Sequence, residues 1–472
     1  MEELRANVIG SGPNGLAAAI TLARAGVRVT VYEAMSRVGG SVGSAELTLP
    51  GFRHDLGASV FPLAVASPFF RSLDLEGHGL RWIQPEAAAA HPLDDGTAVL
   101  LRSSVDETAE QFHTGRGEYR RLFNWTRNRW EAIAEGVLRP ILHVPESMAE
   151  ARFFALAALP ATTAANRFFP DKRARALFAG MAAHSVLPFH RLGSAGVGIF
   201  LAAAGHAVGW PIVAGGAQQL SNTLAGILTE LGGTIHLNAP VRDLGEMEPA
   251  EITLCDLAPA NFIRLAGDRI RRAEARRMSG FRSGPGIFKV DYALSEPIPF
   301  RAAACRTAAT VHIGGSFEEI AAAEESAWTG KIIDRPFVLL VQPSLFDRSR
   351  APEGAHTAWV YCHVPNGASA DMLPAIERQI ERFAPGFRDC VLARKVSTPR
   401  ELEAWNPNLI GGDISGGAMT LRQMLFRPGL IPYRTGVHGV YLSSASTPPG
   451  GGVHGMCGHL AALRALRDNS QH

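Results

Sequence analysis

The sequence predicts an α/β protein, and three observations carry that expectation. A strand, glycine turn, helix and second strand follow one another at the start of the chain. A glycine-bounded helix and strand recur at its middle. A second glycine turn runs into a helix near its end.

The first unit is ANVIGSGPNGLAAAITLARAGVRVTVYE, residues 6–33. Val8 and Ile9 close a short strand, and Gly10, Gly12 and Gly15 form G-x-G-x-x-G around Ser11 and Pro13. A helix is expected over Leu16–Arg24, Gly26 stops it, and Val27–Tyr32 is a second apolar strand closed by the acidic Glu33. Each part has a physical task. Gly10 permits the tight turn, Gly12 lets backbone N–H groups approach a pyrophosphate, and Gly15 lets helix lie close on strand. The helix N-terminus attracts the anion, and Glu33 can accept hydrogen bonds from the hydroxyls of an adenosine ribose. These are the marks of a Rossmann dinucleotide-binding unit, whose ligand can be NAD or FAD.

At the far end, STPPGGGVHGMCG (Ser446–Gly458) strips side chains from a turn just before a helix carrying Leu460, Leu463 and Leu466 at apolar spacing. Glycine costs order, so the turn reads as a place where something approaches the backbone. Between the two ends, Trp210–Leu244 reads as a glycine turn, an amphipathic helix broken by Gly232 and Gly233, and a strand ending at Val241.

The chain is long enough, at 472 residues and 46% hydrophobic, for two or more domains. A net charge of +2 without a basic tract excludes a nucleic-acid partner. Cys255, Cys305, Cys362, Cys390 and Cys457 are odd in number and far apart, so neither a disulfide framework nor a metal site is indicated. The acidic start gives no secretory signal, and no segment reads as a bilayer-spanning helix. The expectation is a cytoplasmic protein with at most a peripheral contact with a membrane surface. No Ser/His/Asp order, H-E-x-x-H or second G-x-G-x-x-G is present, which leaves no dedicated NAD(P)H domain.

The residues just after Glu33 select FAD. In AMSRVGG, Arg37 precedes the pair Gly39-Gly40, which resembles the glutathione-reductase-type FAD fold in its amine-oxidase and phytoene-desaturase branch. GFRHDLGAS (Gly51–Ser59), GPGIFKVDYAL (Gly284–Leu294), HVPNG (His363–Gly367), NPNLIGGDISGG (Asn406–Gly417) and PPGGGVHGMCG resemble the phytoene-desaturase-related oxidoreductases, including the pyridine nucleotide-disulfide oxidoreductase domain-containing protein 2 type. That resemblance implies an FAD-binding domain from residues 1–80, 209–268 and 401–472, with an inserted α+β substrate domain from 81–208 and 269–400. It implies Arg37, Gly39 and Gly40 beside the pyrophosphate and ribityl chain, and the backbone of Val241 at the adenine edge. It also implies N–H groups of Gly451, Gly452 and Val453 at the isoalloxazine.

The implied activity is desaturation or oxidation of a lipophilic, isoprenoid or polyene-like substrate by hydride transfer to flavin N5, with oxygen or a quinone as electron acceptor. A redox-neutral isomerase or saturase, an amine oxidase, and a non-catalytic flavoprotein scaffold are the alternatives. Lys289 resembles the amine-oxidase lysine that holds a water against N5, and is the candidate catalytic residue. It shares a strand face with Ile287, Asp291 and Ala293, so a solvent-facing lysine is the competing reading. Against amine oxidation, Gly452 stands where those enzymes place a cage aromatic. Relatives also carry an arginine shortly after the glycine pair, where this chain has Gly43 and Ser44. RFFALAALP (Arg152–Pro160) and GIFLAAAG (Gly198–Gly205) are tunnel or core segments. His184, His206, His363 and His454 are expected as buried histidines, His454 as a cap or a proton carrier.

Overall fold

In the computed structural model, which describes residues 4–470, the start of the chain builds a parallel sheet as its pattern requires. Residues Met1–Glu3 of the acidic start lie outside the described residues. Strand β1 (Arg5–Ile9) leads through the glycine turn to helix α1 (Pro13–Arg24) and strand β2 (Arg28–Tyr32). Pro13 occupies the first helical turn, where its missing N–H removes no bond. The sheet has five parallel strands in the order Val440–Leu442, Ile252–Cys255, β1, β2, Thr234–His236. Three separate stretches of chain thus meet in one layer, with Gly10 N–H donating to Tyr32 O across the loop at 2.8 Å.

The strand expected to end at Val241 is shorter. It stops at His236, and Val241 lies in an irregular segment. Asn238 N–H and Ala239 N–H still reach Met35 O and Glu33 O at 2.9 and 2.8 Å, so this segment keeps contact with the end of β2 without ladder geometry. Pro240 lacks an N–H to continue the pairing.

A second, seven-stranded sheet takes its strands from residues 87–102 and 286–397. Its centre is the Gly286–Leu294 strand, antiparallel to His356–Val364 on one side and Val391–Ser397 on the other. Register places Lys289 opposite Tyr361, Tyr361 opposite Leu339, and Leu339 opposite His312, so these four share one face. The other face, with Phe288, Val290, Tyr292 and Leu294, joins a core completed by Ile376, Ile380 and Phe383 of the Leu373–Phe383 helix. All nine residues of the Gly286–Leu294 strand are buried. The solvent-facing alternative for Lys289 is therefore corrected: the strand is covered on both sides, and the lysine is 2% exposed.

Helices between residues 105 and 207 lie over the face that carries Lys289. They include Met148–Ala157, Lys172–Ala183 and Ser194–Ala207. Among the described residues no helix is long and apolar enough to cross a membrane.

The two ends of the chain meet directly. α1 lies against the last helix, Met456–Asn469, so closely that a Cβ on Gly458 would overlap the carbonyl oxygen of Asn14. Thr21 Oγ1 and His459 Nδ1 seal the contact at 2.9 Å, and His459 stacks on Phe69 at 4.7 Å between ring centres. Glycine at 458 follows from that approach and not from a need for freedom.

Candidate active site

One cavity of about 1000 Å³ runs from the glycine loop at the start of α1 to the helices over the second sheet. Gly10, Ser11, Gly12, Pro13, Glu33, Gly40, Val241, Gly451, Gly452, Val453 and Lys289 all line it. Gly15, Arg37 and Gly39 stand behind its wall. A Cβ on Gly15 would overlap Gly10 O, and one on Gly39 would overlap Ser221 Oγ and Val42 O. The glycine motif and the family resemblance put these residues together, and the fold divides them into a lining and its support.

Glu33 is buried at the end of β2. Its Oε2 accepts from Ser11 N–H at 2.8 Å and Ser11 Oγ at 2.5 Å, and its Oε1 accepts from Met35 N–H at 2.8 Å. A carboxylate has about four lone-pair sites, so three donors leave room for a hydroxyl from the cavity. Asn14 Oδ1 is also buried on the cavity wall and has no hydrogen-bond partner. Leaving a buried polar atom unpaired costs about 1–3 kcal/mol, so this acceptor is shaped for a ligand.

Arg37 takes a place the sequence could not show. Its Nη2 donates to Gly40 O and its Nη1 to Gln218 Oε1, both at 3.3 Å, and its guanidinium lies 5.9 Å from the centre of the Trp405 ring. A Cβ on Gly43 would overlap Arg37 Nη1. The loss of a side chain at Gly43 is therefore filled by the arginine from six residues earlier. Burial lowers the pKa of Arg37, with Glu33 opposing.

At the second glycine turn, a Cβ on Gly451 would come 2.5 Å from Ser415 O, and one on Gly452, whose φ is +127°, would come 2.5 Å from Leu63 Cδ1. Leu63 therefore fills the space beside Gly452. His454 is fully committed: Nδ1 accepts from Met456 N–H at 3.0 Å and Nε2 donates to Gly450 O at 3.1 Å. Burial lowers its pKa to about 4. Both nitrogens hold the turn, so His454 is a cap and not a proton carrier.

Lys289 Nζ bonds Asp291 Oδ2 and sits 5.8 Å from the centre of the Trp359 ring. Beyond Asp291 lies a buried network that sequence reasoning missed. His54 Nδ1 is 3.8 Å from Asp291 Oδ1. Asp55 Oδ2 is 2.7 Å from Arg350 Nη2, and Asp55 also accepts from Ser44, Ser59 and Ala217 N–H. Burial, with Lys289 and Arg350 beside it, lowers the pKa of His54 to about 3, so it is neutral. Burial pushes the Asp55 carboxyl up, but Arg350 outweighs it and the net direction is down. Lys289 and Arg350 thus face Asp291 and Asp55 in a buried wall, where burial pushes the Asp291 carboxyl up against the pull of Lys289. Asp55 sits in GFRHDLGAS, a stretch noticed as a motif, but nothing in the sequence points to Arg350 as its partner.

At its other end the cavity is apolar. Of Arg152–Pro160, Phe153, Phe154, Ala157 and Ala158 line it, but of Gly198–Gly205 only Phe200 and Leu201 do, and the rest of that segment is core. His184 reaches the wall as well and pairs with His312 through Nε2 atoms 3.0 Å apart. Burial lowers the pKa of His184 to about 3.

Comparison with known proteins bears on what fills such a site. Residues 14–269 match the family model described as flavin containing amine oxidoreductase. Pyridine nucleotide-disulfide oxidoreductase domain-containing protein 2 of Rattus norvegicus is 25% identical, over 99% of this chain and 94% of its own. Phytoene dehydrogenase of Streptomyces griseus is 25% identical over 82% of this chain and 77% of its own. Among solved structures, an oxidoreductase from Methanosarcina mazei superposes with a TM-score of 0.67 at 16% identity, covering 98% of this chain and 100% of its own. A putrescine oxidase bound to putrescine superposes with a TM-score of 0.62 at 17% identity, covering 100% and 99%.

Proposed function

This chain belongs to the flavin containing amine oxidoreductase family and is an FAD-dependent oxidoreductase, and from that premise we propose that it oxidises or desaturates a lipophilic, polyene-like molecule. The observation that carries this reading is the single cavity with a polar glycine-walled end and an apolar aromatic-walled end. FAD held by the residues of the glycine turns would supply the hydride acceptor.

The residues proposed to hold it are those of the two glycine turns. Gly10, Ser11, Gly12, Pro13 and Gly15 present the start of α1 to the diphosphate, with Gly39 and Gly40 against them and Arg37 as the neighbouring cation. Glu33 takes the ribose hydroxyls. Val241 lies at the adenine end, and Gly451, Gly452 and Val453 at the flavin ring. The division into an FAD domain (1–80, 209–268, 401–472) and a substrate domain (81–208, 269–400) is part of the same proposal.

The chain's own residues would do three things. The apolar wall from Phe153 to Phe200 orients a long hydrocarbon and excludes water. Leu63, in the space beside Gly452, leaves the wall apolar. Lys289, held by Asp291, keeps a fixed cation at the junction of the two ends, where it favours a reduced, anionic cofactor. The relatives' names support the substrate class: phytoene dehydrogenase and 4,4'-diapolycopen-4-al dehydrogenase are among them.

Anaerobic mixing with C30 and C40 polyenes tests the reading. Stoichiometric loss of flavin absorbance with appearance of a product two hydrogens poorer supports it. Product formed with no change in flavin redox state assigns a redox-neutral reaction, and bleaching by amines but not polyenes overturns the substrate class. Lys289→Met is expected to slow reoxidation of the reduced flavin by oxygen by at least about tenfold, a loss of about 1.4 kcal/mol of transition-state stabilisation. Unchanged reoxidation removes Lys289 from the mechanism.

A further inference from the structure

A second acid, beside Glu33, stands at the start of α1. Asp256 follows the Ile252–Cys255 strand and lines the cavity. Its Oδ2 accepts from Gly15 N–H at 3.1 Å. A Cβ on Gly12 would come 2.6 Å from that same oxygen, and one on Gly10 would come 3.3 Å from Asp256 Cβ. The carboxyl therefore occupies the ground beneath the glycine loop and engages one of the free amides that make a helix N-terminus an anion site.

Its surroundings are acidic or neutral from every side. β2 contributes Glu33, the charge that acts on it. α1 contributes Gly15 N–H and the unpartnered Asn14 Oδ1. Asn408 donates to its backbone oxygen at 3.1 Å, and Cys457 of the last helix is held protonated by burial, its pKa up at about 11. Cys255 is likewise held up by burial. The nearby cations are engaged elsewhere: Arg37 with Gly40 O and Gln218, Arg264 with Asn261. Two like charges in one dry cradle cannot both stay ionised cheaply, and a dinucleotide diphosphate would bring a third and fourth.

We propose that Asp256 is a cofactor-binding residue that enters the complex as a neutral carboxylic acid, so that FAD is taken up together with one proton. This inference rests on the reading that FAD lies along the two glycine turns. Burial, with Glu33 beside it, already raises the carboxyl to about pH 7 without the cofactor, and the diphosphate raises it further. The sign comes from linkage. The complex holds the proton more tightly than the free protein, so affinity is full below about pH 7 and falls as pH rises through that value.

The test titrates FAD into flavin-free full-length protein from about pH 6 to about pH 9, following quenching of flavin fluorescence. For wild type the dissociation constant is expected to rise by up to about tenfold per pH unit above neutrality. Asp256→Asn, which keeps shape and removes the titration, is expected to show a flat profile. A flat profile for wild type overturns the proposal, as does an equal slope in both proteins, which places the proton elsewhere. If Asp256→Asn does not fold, calorimetry of wild type at about pH 8 in buffers of different ionisation enthalpy decides: uptake of about one proton per FAD supports the proposal, and none overturns it. No FAD binding at any pH defeats the cofactor site itself, an outcome distinct from pH-independent binding.

Discussion

Exchanging Asp291 for asparagine removes the carboxylate bonded to a lysine that is 2% exposed. In the intact wall, Lys289 and Arg350 face Asp291 and Asp55, and His54 adds no charge because its pKa lies near 3. Asp291→Asn therefore leaves one buried positive charge uncompensated. Breaking a buried pair from one side costs about 3–5 kcal/mol. Urea unfolding of the holoprotein, read by tryptophan fluorescence, measures the loss. Lys289→Met with Asp291→Asn removes both charges and is expected to recover most of the stability. A single variant within about 0.5 kcal/mol of the parent, or a double variant no better than the single, refutes the charge-balance argument.

Gly458→Ala drives a methyl group into the Asn14 carbonyl; it is expected to cost at least about 1–3 kcal/mol and to weaken FAD retention on gel filtration, whereas an unchanged protein would show that the two helices are not in backbone contact. His454→Ala leaves Met456 N–H without its acceptor and Gly450 O with only the weak Cys457 thiol donor; the expected loss is about 1–3 kcal/mol of stability. Because that imidazole titrates near pH 4, the pH profile of flavin reduction between about pH 6 and about pH 9 is expected to keep its shape in His454→Ala, and a changed profile there would restore a proton-carrying role.

Local pattern made the first βαβ unit readable, because every residue of Val8–Glu33 that matters lies within one turn or strand of its neighbours. The final turn was readable for the same reason: glycines followed by leucines at helical spacing. What the sequence hid is contact between distant segments. Arg350 closing on Asp55, Arg37 filling the space at Gly43, and Leu63 standing beside Gly452 each join positions whose proximity only tertiary packing creates. Val241 failed as a strand because a proline precedes it and the ladder ends at His236. The Lys289 face was ambiguous for a different reason. Alternation tells which residues share a face, and it cannot tell whether that face meets water or, as here, a roof of helices.

The meeting of α1 with the last helix has a consequence for biosynthesis. Thr21 and His459, which touch, are 438 residues apart along the chain. A ribosome making this protein releases the first glycine loop long before the closing helix exists. Until the closing helix emerges, the early loop is an anion-attracting edge with nothing opposite it. The packing of the first glycine loop's helix against the last helix is thereby among the last contacts this chain can form.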